Sequence, residues 1–331
     1  MKRILYPLLV FTLSGGFSAC QAQPNKPMSE NKSNPLLCDP EQGICEIPSA
    51  TGNAAHVNTP ASQKPVKIIY FTDPICSSCW GIEPQLRRLK LEYGQDVEID
   101  YHMGGLLPDW SYNSGGISKP SDVAHHWDEV SKYYLMPIDG DVWLEDPLAS
   151  SYPPSIAFKA AQLQDKDKAI KFLRLIREMV FLEKKNITRW EHLSAAAFYT
   201  GLDTNRLKAD YEGPARLDFQ KDLELAQRMA VRGFPTLFIS NAAGRQEKVY
   251  GFKPYSVFEA SLSAVYPEIK KTSYGKDWKS LFNAYQTLTV KEFSELSGLS
   301  FEESVETLEK LTQDHELSKW ITKNGALWTR K

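Results

Sequence analysis

Two cysteines stand two residues apart in the stretch FTDPICSSCW, Cys76 and Cys79, directly after the β-branched and aromatic run VKIIYF. Such a C-x-x-C pair can exchange electrons with disulfides, supply half of a zinc site, or persist in a scaffold that only binds. Exchange needs a thiolate, so the first cysteine should be exposed with a lowered pKa. A position where a strand ends and a helix begins does both, because the unpaired N–H groups and positive helix end lie beneath the sulfur. Cys76 is therefore the expected nucleophile. Cys79, one turn further on, is the expected resolving thiol that attacks a mixed disulfide and frees the partner. No organic cofactor is expected, since the dithiol is itself the redox carrier, and no metal is expected. Paired His125 and His126 in VAHHWDEV point to different sides of a helix and favour a structural or surface role over ligation.

The elements that must position this pair follow from periodicity. VKIIYF reads as a buried strand, CWGIEPQLRRLKLEY spaces Ile82, Leu86, Leu89 and Tyr93 as a helix, and VEIDYHM alternates as a second strand. That is a parallel strand-helix-strand unit. FPTLFIS, the turn NAAGRQ, EKVYGF and YSVFEASLSAVY give two more strands and a closing helix. Residues about 106–232 lie between the halves and carry helical stripes, among them Ala169, Phe172, Leu173, Ile176, Met179 and Val180. A helical module is thus inserted into the α/β unit. Beyond Pro267, three short helices and a hairpin around Asn324-Gly325 form a winged-helix pattern. Its third helix carries Glu302, Glu303, Glu306 and Glu309 against Lys310, which would repel phosphates, so no nucleic-acid partner is expected.

The chain has 331 residues with 39 basic and 41 acidic side chains, so no overall field favours nucleic acid or an anionic membrane. Its five cysteines leave one unpaired, and the first twenty residues account for it. MKRILYPLLVFTLSGGFSAC has a basic start, an apolar run and small residues before Cys20, as an export signal does. GFSAC resembles the lipobox of bacterial lipoproteins, although Phe17 stands where leucine is usual, which would make Cys20 a lipidated first residue. The alternatives are an ordinary cleaved signal or a start at Met28 with a cytosolic product. Residues 21–65, rich in Pro, Ser, Asn, Ala and Gln, read as a flexible tether. Cys38 and Cys45 within it flank a turn signal; a disulfide-closed loop is favoured over a second redox pair or half a zinc site.

The C-x-x-C at a strand-helix junction, Pro84 five residues after Cys79, the inserted helices and the Gly-Phe-Pro-Thr loop resemble the DsbA family of thiol-disulfide oxidoreductases. DPICSSCWGIEPQLRRL with a winged-helix-like C-terminal module is similar to its YjbH branch, also called SpxH. The resemblance runs from about Val66 to the C-terminus. It implies an α/β thioredoxin fold at 66–267 with a helical insert, DsbA-like, followed by a small winged-helix-like domain at 268–331. It also implies a cis-proline at Pro235 whose loop, with Phe234 and Trp80, binds an extended protein substrate. Two functions follow. The first is a DsbA-like oxidoreductase or isomerase of exported proteins, a periplasm-facing lipoprotein held to the membrane through its anchor and recycled by an unidentified redox partner. The second is a cytosolic adaptor without turnover, because YjbH proteins present the transcription factor Spx to the ClpXP protease. Ser77-Ser78 lacks the histidine of DsbA, which implies a less depressed Cys76 pKa. Tyr70 stands where thioredoxins carry a buried acid, so either another group such as Asp73 or water does that job, or the exchange is slow.

Overall fold

A computed structural model describes residues 38–39, 43–46, 64–111 and 119–331 of the chain, all inside one unit, Lys32–Lys331. Cys20, the leader and most of the tether lie outside the described residues. Two short strands come first, β1 (Cys38–Asp39) and β2 (Ile44–Glu46). The apolar run before the cysteines is β3 (Val66–Thr72), and VEIDYHM is β4 (Val97–Met103). β3 and β4 pair in parallel, Ile68 opposite Ile99 and Tyr70 opposite Tyr101. Between them run α1 (Ser77–Gly81) and α2 (Glu83–Tyr93), which meet at Ile82. The break has a covalent cause: Pro84, at the start of α2, has no N–H with which to continue the helical ladder.

The insert comprises α3 (Pro120–Tyr134), α4 (Val142–Glu145), α5 (Tyr152–Gln164), α6 (Lys166–Phe181), α7 (Trp190–Tyr199), α8 (Thr204–Glu212) and α9 (Pro214–Arg228). In α6 the anticipated stripe is inward, with Ala169, Phe172, Leu173, Ile176 and Val180 buried, and α5 packs against α6, α8 and α9. The chain then returns to the sheet through β5 (Gly233–Phe234), β6 (Thr236–Asn241), β7 (Gln246–Tyr250) and α10 (Tyr255–Val265). The four-stranded sheet runs β4-β3-β6-β7, with β6 antiparallel to β3 and to β7. Both faces of β3 are covered over most of its length, which is why, Lys67 apart, it reads as a nearly continuous apolar run. A second sheet joins β1, β2 and β5.

The C-terminal module holds α11 (Trp278–Ala284), β8 (Thr287–Thr289), α12 (Val290–Ser297), α13 (Phe301–Gln313), β9 (Leu317–Thr322) and β10 (Gly325–Arg330). Its strands order β8-β10-β9, and Leu281, Phe293, Leu296, Leu308 and Trp328 form a core of their own. The hairpin turns at Asn324-Gly325, and Thr289-Glu292 and Ser300-Glu303 close capping boxes on α12 and α13. Strand β8 escapes a periodicity reading because three residues carry no pattern; its partner in β10, Leu288 opposite Trp328, is far away in sequence. The module docks α12 against α2. Arg87 donates to the Thr287 carbonyl at 2.6 Å, and the Tyr285 hydroxyl donates to the Arg87 carbonyl at 2.8 Å.

Candidate functional site

Cys76 caps α1: its sulfur accepts the Cys79 N–H at 3.1 Å. The strand-to-helix placement is the one the spacing implies, yet neither expected consequence follows. Both Cys76 and Cys79 are free thiols and both are 0% exposed. Burial pushes the Cys76 thiol well up, and its hydrogen bond to Cys79 and the charge there add to the rise. A five-residue helix with no following turn in line offers little dipole against that desolvation. At Cys79 burial also acts upward, but the hydrogen bond from Cys76, the Arg177 charge and the Thr72 and Tyr70 hydroxyls outweigh it and bring the thiol below its ordinary value.

Arg177 is the residue that sequence reasoning missed. It is fully buried in the apolar stripe of α6, where it pairs with Glu83 and donates to Thr72 Oγ1 and to the Asp73 carbonyl. The Thr72 hydroxyl in turn donates to the Tyr70 oxygen at 3.1 Å. A guanidinium, a threonine and a buried tyrosine therefore occupy the ground beneath the thiols where a carboxylate was sought. An arginine between Ile176 and Met179 on an otherwise apolar face was the available signal.

Asp73 serves a different purpose. Its carboxylate accepts the Ile75 N–H at 3.0 Å, the Leu106 N–H at 2.8 Å and the Ser151 hydroxyl at 2.8 Å, clamping the loop before Cys76 to the start of the insert. Burial nevertheless raises its pKa from 3.8 to about 6, the hydrogen bonds and Arg177 pulling the other way. A raised acid favours the folded state fully below 3.8 and loses that contribution as pH rises through about 6. Two units correspond to about 3 kcal/mol. The wild-type chain, compared with Asp73→Asn in urea melts at pH 4, 5, 6 and 7, should therefore lose stability relative to the variant by that order over this range. Parallel curves would show that the carboxylate does not titrate there.

Trp80 is enclosed, not presented: its ring stacks on Phe181 at 5.5 Å, its indole N–H donates to the Pro137 carbonyl at 3.0 Å, and Arg174 covers it at 4.3 Å. Arg174 also binds both oxygens of Glu292, at 2.6 and 3.1 Å, and so links the C-terminal module to the helix that carries the thiols. The Phe234-Pro235 bond is cis. Phe234 is buried, and its ring lies so close to Gly104 that a Cβ there would fall 1.7 Å from it. The backbone of Phe234 is paired with Cys45 of β2. Cys45 is disulfide-bonded and fully buried, and in register it faces Cys38 across β1. Cys76, Cys79, Cys45, Phe234 and Pro235 thus converge, whereas Trp80 lies behind them. His102 bridges Asp222 at 2.7 Å and Asp100 at 3.4 Å in β4; His125 pairs with Glu129, and His126 is buried in α3.

The sequence pattern of the family described as Thioredoxin matches residues 70–260. A protein of Halalkalibacterium halodurans named ClpXP adapter protein SpxH is 33% identical over 306 residues, 90% of this chain and 97% of that protein. The Bacillus subtilis protein of the same name is 31% identical over 271 residues, 80% of this chain and 89% of that one. Among solved structures, a putative protein disulfide isomerase of Nitrosomonas europaea superposes with a TM-score of 0.53 at 19% identity, covering 60% of this chain and 97% of its own, a likeness of fold. These findings overturn the expectation of a DsbA-like oxidoreductase or isomerase: relatives matched along nearly their whole length are named as adapters. In this structure Cys76 is closed off from solvent. The expectation of a periplasm-facing, membrane-anchored lipoprotein is corrected on the same finding, since the relatives matched along most of the chain are named as adapters of the ClpXP protease. Among the described residues no helix is long and apolar enough to cross a membrane.

Proposed function

Because this chain belongs to the SpxH family of DsbA-like thioredoxin-fold proteins, we propose that it is a protein-binding adapter, one that delivers a client protein to a ClpXP protease and carries out no turnover at its thiols. The observation that carries this reading is the match to a named ClpXP adapter over 90% of the chain, insert and C-terminal module included. Full burial of Cys76 and Cys79 supports it, since binding a client does not require those sulfurs to be reached. The docked modules supply a broad scaffold for protein contacts, in keeping with protein partners in general.

The test is a reconstituted degradation assay with ClpXP and Spx as client, with and without the purified chain, alongside direct binding of the chain to ClpX and to Spx. Binding to both and a several-fold faster loss of client are expected. The double variant Cys76→Ser/Cys79→Ser should keep most of the stimulation. Absence of binding to either protein would defeat the adapter reading, and stimulation that disappears in the double variant would return the chemistry to the thiols.

A further inference from the structure

The segment Gly43–Glu46 lies on the thiol site as an added strand. β2 runs antiparallel to β5, with Cys45 opposite Phe234 and Glu46 opposite Gly233. Gly43 brings it in at φ +64, and a side chain there would come 2.7 Å from the Phe252 nitrogen, whose N–H donates to the Gly43 carbonyl. Phe252 is itself held against Tyr134 at 4.9 Å, and the Tyr134 and Ser78 hydroxyls are 2.7 Å apart. The outcome is a sulfur-to-sulfur approach: Cys45 Sγ is 3.4 Å from Cys76 Sγ and 3.5 Å from Ser78 Oγ. That separation falls within the about 3–3.5 Å at which reacting atoms are poised. Cys45 is disulfide-bonded while Cys76 is a free thiol. Cys38 stands directly opposite Cys45 in register, and opposed antiparallel residues lie about 4.5–5.5 Å apart, inside the span a disulfide bridges.

We propose that Cys38 is the disulfide partner of Cys45, that this disulfide is a built-in ligand of the C-x-x-C pair, and that Cys76 exchanges with it inside one chain. In the first step the Cys76 sulfur, losing its proton, attacks Cys45 Sγ; the Cys45–Cys76 bond forms, the Cys38–Cys45 bond breaks, and Cys38 leaves as thiolate. In the second, Cys79 gives up its proton and attacks Cys76, forming Cys76–Cys79 and releasing Cys45 as thiolate. Two protons and two electrons pass from the Cys76/Cys79 dithiol to the Cys38/Cys45 pair, so no outside oxidant or reductant is needed. This exchange touches no other protein and does not depend on the adapter reading. It also explains why the thiols are buried: their disulfide partner is already seated over them.

Trapping the first intermediate tests it. The full chain carrying Cys79→Ser, and in parallel Cys79→Ala, has no resolving thiol; after acid quench, alkylation and peptide mass mapping, a Cys45–Cys76 disulfide with alkylated Cys38 is expected as the predominant species, in a proportion independent of protein concentration. In the wild-type chain, Cys38 and Cys45 should become alkylatable one for one as Cys76–Cys79 closes, with first-order kinetics. The proposal is overturned if both variants retain Cys38–Cys45 with Cys76 alkylated, if Cys45 is bonded elsewhere, or if mixed isotope-labelled chains show the Cys45–Cys76 link only between molecules. Should neither variant fold, the wild-type mapping alone decides: absence of the one-for-one conversion overturns it.

Discussion

Glu292→Ala is expected to destabilise the chain by about 3–5 kcal/mol, because it strips a shared counter-charge from two largely buried arginines, Arg87 and Arg174, of which Arg174 keeps its pairing with Glu178. Glu292 is 0% exposed, and the side chains of its partners Arg87 and Arg174 are only 8% and 11% exposed. Its carboxylate takes two hydrogen bonds from Arg174, lies 3.2 Å from Arg87 Nη1 and accepts the Thr289 N–H at 2.9 Å. Alanine leaves the arginine charges buried and at once removes the acceptor of the Thr289 N–H, one half of the α12 capping box, while the Thr289 side chain still caps the residue-292 N–H. Glu292→Gln keeps the shape and the cap acceptor and should cost less. Burial raises the Glu292 pKa, but Arg174 and Arg87 outweigh it and hold the carboxyl below 4.5. Its contribution is therefore present above 4.5 and is lost as pH falls through the depressed value, so wild type and alanine variant should converge in acid. Since Arg174 also covers Trp80, the tryptophan fluorescence of the folded variant should shift. Urea melts at pH 7 decide the main point: a difference under about 1 kcal/mol, the worth of an exposed pair, would mean that this contact does not hold the module in place.

Arg177→Met is expected to have a comparable cost, about 3–5 kcal/mol, since methionine fills the volume but leaves Glu83 without its partner. The more telling consequence is at the thiols. The Arg177 charge is among the influences that bring Cys79 below its ordinary pKa, so its removal should move the Cys79 thiolate titration upward. Thiolate absorbance against pH, read in a Cys76→Ser background to isolate Cys79, measures this directly. Arg177→Lys should recover only part of either effect, because a lysine ammonium cannot reach Glu83, Thr72 and the Asp73 carbonyl from one rigid plane. A Cys79 titration that stays put in Arg177→Met would show that the guanidinium steadies the fold but leaves the sulfur alone.

Much of the scaffold was legible in short-range pattern. The apolar run of β3, the proline break at Ile82, the apolar stripe of α6, the Asn324-Gly325 hairpin and the C-x-x-C at the strand-helix junction each depend on neighbours within a few residues. Local periodicity and turn chemistry are written into such stretches, and the α/β unit with its helical insert followed from them; that it is a thioredoxin fold was implied by the resemblance to the DsbA family. The leader pattern, by contrast, pointed to the cell envelope and to catalysis on exported proteins, and the adapter relatives overturn both.

What the sequence by itself determined is the strand-helix-strand unit, the apolar stripe of α6, the closing hairpin and the identity of the sulfurs; what only the tertiary structure decided is their surroundings and the short strands β5 and β8, whose partners are distant in sequence. No local rule indicates that Arg177, inside an apolar stripe, would end beneath Cys79 and Tyr70, or that Glu292 would cross from the C-terminal module to Arg174 and Arg87. Nor does spacing indicate that Cys45 would be laid on the backbone of Phe234 with its sulfur against Cys76. These contacts join residues far apart along the chain. Burial, and with it the desolvation that raises the Cys76 thiol, exists only once those distant segments have closed over the site.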